Sequence, residues 1–489
     1  MHLSKTDYNR YLQCPRLLWL SKNRKELAAK PDEVTQAIFD QGHLVESYAD
    51  KMFEKRTNQK GVTIEGWYEK GQKETQTHIQ EGKKLIFQAN ALPKDLYCKG
   101  DILHFNDTSK KWDLYEVKST TSVKPEHIPD LCFQKIAFER DGIEIDRTYL
   151  VHLNREYVKN GEIVPEELFV IEDLTEDVEN LRQITETNIP KAIEIMKQKD
   201  ELETPIGKQC KNPYKCPFIE HDWAFLPEYN IFDLQRLTDK QLKQLEDMKI
   251  LKLKDIPDDF DMTEKQQNQV MATKTGEAII DKEAIENELS RLSYPLYFLD
   301  YETYASAIPI FDGLIPYQAM CFQYSLHVIK SEGEEPEHYE YLHTGTDMPV
   351  PKLLESMRKN IGDTGSVIVW HKSFEMGRNE EMAEMYPEYA DFLKSVNSRV
   401  FDLKEIFSNQ HYVDSRCKGS NSIKNVLPVI VPELSYADLE DVQNGQIASL
   451  YWFKYVYGES GSKEKMVRNL LEYCKLDTLA MMEVWGKLN

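Results

Sequence analysis

Leu96-Tyr97-Cys98-Lys99-Gly100-Asp101-Ile102-Leu103-His104-Phe105, followed by Trp112-Asp113-Leu114-Tyr115-Glu116-Val117-Lys118-Ser119, is the stretch on which the fold turns. Both runs are apolar and β-prone, and Asn106-Asp107-Thr108-Ser109 between them supplies a turn, so the pair reads as two joined strands. Alternate side chains of a strand share a face, which puts Trp112, Leu114, Glu116 and Lys118 on one side and Tyr115 and Val117 on the other. A carboxylate and an ammonium projecting together from an apolar strand are unusual without a task, and Asp101 on the preceding strand can reach the same point. Hard oxygen donors of this kind suit Mg²⁺ or Mn²⁺. Such an ion polarises a phosphodiester and lowers the pKa of an attacking water, while Lys118 would orient that water or meet the developing charge. The competing interpretation is a solvated strand edge with an ordinary ion pair, and Glu81-Gly82-Lys83 matches the same short pattern in a segment of helical character.

Outward from this pair, residues 1–25 read as one helix containing Cys14-Pro15-Arg16, and residues 34–56 as a second, amphipathic one. A helix from about Pro125 to Arg140 stops at Gly142, Arg147–Leu153 reads as a strand, and residues 170–200 as helix. Asp101, Glu116-Val117-Lys118 and Gln134, in this element order, resemble the PD-(D/E)XK nucleases of the RecB type, most closely the CRISPR-associated RecB-like exonucleases. The resemblance covers roughly residues 1–223 and implies a further metal-site residue on an early helix: Glu46 in Gly42-His43-Leu44-Val45-Glu46, with His43 as its rival. It also implies an iron–sulfur cluster stapling the two ends of the domain. Cys14, Cys210 and Cys216 fit three of its ligands, and the expected fourth cysteine is replaced by His221-Asp222. Asp222 or His221 would complete the set, a zinc site of three thiolates and His221 is an alternative, and buried thiols without a cluster are a third. Cys98, Cys132, Cys321, Cys417 and Cys474 read as core thiols.

A second carboxylate set lies further on. Leu296, Phe298, Asp300 and Glu302 share a strand face, so two carboxylates at the end of an apolar strand can grip one metal and reach a second. Tyr473 and Asp477 lie four apart on one helix face and can point into the same cleft. This combination resembles the DEDD exonucleases of the ribonuclease H-like superfamily, in the variant that uses Tyr to orient water. The middle motif falls in His371-Lys372-Ser373-Phe374-Glu375, where Glu375 stands for the usual Asp, and Asp402 is a rival third carboxylate. The whole C-terminal stretch, with Ser422-Ile423-Lys424-Asn425-Val426-Leu427-Pro428, looks like the bacterial family called domain of unknown function 2779, whose members often follow a RecB-like domain.

Length and composition set the frame. A chain of 489 residues exceeds one ordinary core, and 41% hydrophobic with 11% aromatic residues is globular. The net charge of −22 argues against a broad nonspecific nucleic-acid coat, although residues 1–60 carry 11 Lys/Arg against 8 Asp/Glu. No apolar run reaches the length of a membrane span, Met1-His2-Leu3-Ser4-Lys5 lacks an apolar signal core, and eight sparse cysteines do not read as a disulfide framework, so a cytoplasmic protein is expected. The expected fold is α/β and multidomain. It comprises a restriction-endonuclease-like mixed sheet with helices over 1–224, a helical connector over 225–290 and a ribonuclease H-like α/β domain over 291–489. The expected function is a metal-dependent nuclease, an exonuclease with two candidate sites, acting on DNA in repair or foreign-DNA processing. An RNA-trimming exonuclease is the alternative, as is a nucleic-acid-binding subunit with one or both sites degenerate. A repair or defence protein is the partner to expect, and a membrane is not.

Overall fold

The two apolar runs form adjacent antiparallel strands in a computed structural model that describes residues 1–458 and 462–489. The chain divides into two units: Met1–Phe225 with Ser306–Gln318, and Leu226–Ala305 with Ala319–Asn489. Both are built of mixed sheets and helices.

The first unit holds strands β1 (Leu3–Ser4), β2 (Val62–Thr63), β3 (Leu85–Ala91), β4 (Leu96–Asn106), β5 (Lys111–Lys118), β6 (Ile145–Leu153) and β7 (Phe169–Asp173). They are ordered β2-β3-β4-β5-β6-β7, with β1 beside β4. Its main helices are α1 (Lys5–Gln13), α2 (Pro15–Asn23), α3 (Glu33–Thr57), α4 (Tyr68–Gln80), α5 (His127–Arg140) and α6 (Thr175–Lys197). Strands β5 and β6 run parallel, joined through α5. The alternation of β5 sorts its side chains into two cores. Trp112 and Leu114 pack with Phe133 and Phe138 of α5, whereas Tyr115 and Val117 pack with Val45, Met52 and Phe53 of α3.

Three local expectations are corrected. Residues 1–25 form two helices instead of one. Pro15 cannot continue α1 and forces Cys14 into an extended conformation, φ −164° and ψ 121°. Residues 170–173 belong to strand β7, and helix begins only at Thr175. The stretch 225–290 is mainly helical around a small core that includes Ile231, Leu245, Leu253 and Ile256. It nevertheless contributes a strand, Ile279–Ile280, paired antiparallel with Tyr412–Val413, and it belongs to the second unit.

The second unit's sheet is formed by β8 (Leu296–Tyr304), β9 (Met320–Ile329), β10 (Glu337–Leu342), β11 (Ser366–Val369) and β12 (Val400–Asp402). Their order is β10-β9-β8-β11-β12. The first three are mutually antiparallel, and β11 and β12 run parallel to β8. Around it lie α7 (Val350–Asn360), α8 (Lys372–Met385), α9 (Ile423–Ile430), α10 (Gly445–Tyr457) and α11 (Lys463–Leu488). The long α11 crosses the sheet, and Gln323 of β9 donates to its Leu470 carbonyl at 2.8 Å.

Candidate functional site

In the first unit, β4, β5, α1 and α5 converge on Glu116, which is 1% exposed. Its Oε1 accepts from the Lys118 ammonium at 2.6 Å and from the Lys5 ammonium at 2.8 Å. Its Oε2 accepts from the Gln134 amide at 2.7 Å. Lys118 also reaches Asp130 at 2.7 Å, and Asp101 accepts the Val117 N–H at 2.8 Å. Gly100 makes this convergence possible, because a Cβ there would lie 2.8 Å from the Phe138 ring of α5. Burial alone would raise the Glu116 carboxyl, but Lys118 and Lys5 overcome it and hold the group below the usual carboxylate range. Burial, and then the charge of Glu116, push Asp101 well above its ordinary value. The charges of Glu116, Asp130 and Asp101 outweigh the burial of Lys118 and keep it protonated. Glu46 lies near enough for its charge to act on Asp101, and the Gln88 amide approaches it at 3.4 Å. His43 is exposed beside it, 3.8 Å from Glu46.

In the second unit the carboxylates are crowded and have little cationic company. Asp300 and Glu302 on β8 and the Cys474 thiol on α11 bring their donor atoms within 4.8 Å of one another, and Cys474 approaches the Asp300 carboxylate at 3.8 Å. Asp477 is buried one turn of helix beyond Tyr473 and accepts from the Tyr436 hydroxyl at 2.5 Å. The start of α10 abuts Glu302, since a Cβ on Gly445 would sit 3.4 Å from its Oε2. A helix N-terminus is a favourable neighbour for such an anion. Burial drives all these acids upward. Asp300 is raised further by Asp477, Glu302 and Glu375, and Glu302 by Asp477. Asp477 is raised to about 6, with Tyr436 and Lys424 opposing the shift. The nearby cation is Lys424 on α9, whose ammonium lies 5.2 Å from the Tyr436 ring centre and 5.1 Å from that of Tyr473. It donates to the Gln443 carbonyl at 2.5 Å, and burial lowers its pKa despite the acids around it.

Glu375 occupies the first turn of α8, buried, with its Oε2 unpartnered. Burial and the neighbouring Asp402 push it up to about 8. Asp402 has a different occupation: it accepts the backbone N–H groups of Lys372 and Lys404 at 3.0 and 3.1 Å, tying the start of α8 to β12. The sequence reading missed Lys5, Asp130, Lys424 and Tyr436. Asp130 lies one helical turn before Gln134, so helical spacing could have flagged it. Lys424 stood inside a noted motif without a role, and no sequence signal marks Lys5 or Tyr436.

The donor set of the second unit's carboxylate site suits a hard divalent cation such as Mg²⁺ or Mn²⁺: carboxylate oxygens, an orphaned buried oxygen at Glu375, and an excess of acid over base. The cysteine region is different. Cys14, Cys210 and Cys216 pack in one small core with Trp19, Phe218 and Trp223. Asp222, however, is paired with Arg16 at 3.1 Å, and the same guanidinium reaches Glu201 at 2.6 Å. His221 faces Glu201 at 3.6 Å. Asp222 is thus engaged in an ion pair, while Glu201, His221 and Asp222 bring donor atoms within 4.8 Å of one another, an arrangement able to hold a metal ion.

Residues 297–422, which carry Asp300, Glu302, Glu375 and Asp402, match a family model. It is the domain of unknown function DUF2779. The chain is similar to the uncharacterized protein MG366 of Mycoplasma genitalium, 26% identical over 219 residues, covering 41% of this chain and 32% of that one. It is similar to the MG366 homolog of Mycoplasma pneumoniae, 27% identical over 208 residues, covering 38% and 31% respectively. The uncharacterized protein UU173 of Ureaplasma parvum is 33% identical over 137 residues, covering 24% and 20%. The chain therefore spans about a third or less of the length of the curated relatives it matches. Asp477 and Tyr473 lie beyond the DUF2779 match, contributed by α11. No described helix is long and apolar enough to cross a membrane.

Proposed function

We propose that this protein is a metal-dependent nuclease that hydrolyses phosphodiester bonds, DNA being the foremost substrate, with one site in each unit. The observation that carries this reading is the convergence of Asp300, Glu302 and Asp477, all raised in pKa by burial and the first two also by neighbouring carboxylates, with the half-buried Lys424 opposing the rise of Glu302 and Asp477. Such a cluster is stable and ionised only beside a cation. In the second unit Asp300, Glu302, Asp477 and Glu375 would hold the ion, and in the first Asp101, Glu116 and Glu46. When bound, the metal would polarise the phosphodiester and favour the deprotonated form of an attacking water.

The chain's own groups supply the rest. Burial and the charges of Asp477 and Glu302 keep the Tyr473 phenol neutral, so it orients water through hydrogen bonds and does not act as a base. Lys118 is held protonated, so it donates to developing negative charge and does not abstract a proton. Gln134 fixes the Glu116 carboxylate in one orientation from the α5 side. In this reading the resemblances to RecB-like and DEDD nucleases describe the same two sites.

The test is incubation of the pure protein with end-labelled single- and double-stranded DNA and RNA, with Mg²⁺, Mn²⁺ or chelator. Glu116→Gln, Asp477→Asn and the double variant are compared with the wild type. Cleavage should require metal, each single change should remove one component by about 100-fold or more, and the double change should remove both. No cutting of any substrate, or cutting untouched in the double variant, defeats the proposal.

A further inference from the structure

The first unit presents two large aromatic rings to solvent from an unusually constrained segment. Trp67 is 60% exposed and Tyr68, the first residue of α4, is 47% exposed. Tyr68 adopts a left-handed backbone conformation, φ 51°, which a bulky side chain occupies only at a cost. Its ring stacks on Tyr97 of β4 with centroids 4.3 Å apart and planes 27° apart. Tyr97 is itself buried, and its hydroxyl donates to Asn90 of β3 at 2.8 Å. The start of α4 is clamped onto this support. A Cβ at Gly71 would come within 2.5 Å of both the Asn90 side chain and the Gly66 carbonyl. The Lys99 ammonium lies 4.5 Å from the centre of the Trp67 ring, and His2 lies against Tyr68, centroids 6.2 Å apart.

Strain, close packing and a buried aromatic support are spent here to hold exposed rings in fixed positions. Folding gains nothing from leaving Trp67 in water, whereas a flat ligand would gain a rigid surface. The position of the surface says which ligand. His2 touches Tyr68, and Lys5, three residues later, bonds Glu116; that length of chain spans at most about 11 Å. Strand β1 between them pairs with Leu96 and Tyr97 of β4, the strand that carries Asp101 two residues beyond Lys99.

We infer that Trp67, Tyr68 and Lys99 form a stacking platform for the unpaired bases of a single-stranded nucleic acid, placed beside the carboxylate site of the first unit. This rests on the nuclease reading of that site and narrows its substrate to a strand with unstacked bases. Duplex bases are already stacked and do not present their faces. Aromatic stacking tolerates any base, and Lys99 supplies charge for the backbone.

Binding is read in chelator, where no cleavage occurs, by fluorescence anisotropy of end-labelled oligothymidylate and of a blunt duplex, with the full-length protein. Trp67→Ala, and Tyr68→Asn, which removes the ring and tolerates the left-handed backbone, should each weaken single-strand binding about tenfold. Trp67→Phe should stay within about twofold of wild type, and duplex binding should not change. Single-strand affinity untouched by Trp67→Ala, or duplex affinity falling equally, overturns the platform. Glu116→Gln, assayed alongside for cleavage with Mg²⁺ in an Asp477→Asn background that removes the second site, keeps the two readings apart. Cutting that survives it defeats the nuclease site and leaves the binding result standing, whereas unaltered binding in Trp67→Ala defeats the platform alone.

Discussion

Two buried carboxylates in this protein have opposite electrostatic circumstances, and the difference is measurable as stability. Glu116 is gripped by two ammoniums and an amide. Removing its charge leaves Lys5 and Lys118 facing each other with less to bind, so Glu116→Gln should destabilise the metal-free protein by about 3 kcal/mol in chemical denaturation. Asp300 sits among like charges. Asp300→Asn should leave the metal-free protein as stable or more stable, while removing the metal response of the second unit. If both changes destabilise equally, the electrostatic contrast drawn between the sites is wrong. Lys424 gives a second residue-scale expectation. Held between two tyrosine rings beside the acids, it is placed to meet charge developing on a phosphate. In a Glu116→Gln background, which isolates the second site, Lys424→Met should lower kcat about 100-fold with little change in melting temperature. Lys424→Arg should recover part of that loss, and an unchanged kcat in Lys424→Met would leave the lysine a packing role only.

At the scale of elements, what could be read from the chain depended on whether a signal was local. The strands bearing Asp101, Glu116 and Asp300 were legible because apolar alternation is local, as was α3, which runs Glu33–Thr57 against an expected 34–56. Strand β3 was missed because Gln88 and Asn90 interrupt its apolar run, and Gln88 takes a φ of 56° inside it. Strand β10, Glu337-His338-Tyr339-Glu340-Tyr341-Leu342, was missed because it is an edge strand, and edges carry charge. The candidate carboxylates were legible from position on a face. Lys5 was not, because its bond to Glu116 joins residues 111 apart in sequence, and only the pairing of β1 with β4 brings it there. Asp222 was legible from its place after the cysteines, whereas its ion pair with Arg16 on α2, distant in sequence, was not. The dependence of the first site on helix packing can be tested at Gly100. A methyl there would meet the Phe138 ring at 2.8 and 3.0 Å and Leu114 at 3.1 Å, and both side chains are fully buried. Gly100→Ala should therefore cost about 1–3 kcal/mol and push α5, with Gln134, away from Glu116. The expected result is a lower melting temperature together with impaired cleavage by the first site. A variant as stable as wild type would show that α5 can yield.

For the molecule as a whole, the acids of the second unit link metal, pH and stability in one direction. Asp477 rises from an ordinary value near 3.8 to about 6 and Glu375 from 4.5 to about 8, both chiefly through burial. The folded metal-free protein thus holds protons that the unfolded chain has released. The stability these groups contribute is fully present below their unfolded values and is lost as pH rises through about 6 and then about 8. Glu116 does not offset this loss, since its depressed value lies well below that range and its contribution stays constant there. A divalent cation supplies the missing partner, so its stabilising effect must grow over the same interval. Differential scanning calorimetry in chelator should show the transition of the second unit falling by several degrees from about pH 5 to about pH 8. Mg²⁺ or Mn²⁺ should restore more of the loss at the higher pH. Asp477→Asn should flatten the chelator profile on the acid side, Glu375→Gln on the basic side, and each should weaken the response to metal. A chelator profile that rises over this interval, or a metal effect independent of pH, would mean that these carboxylates find their cations within the protein, and the metal reading of the second site would fall with it.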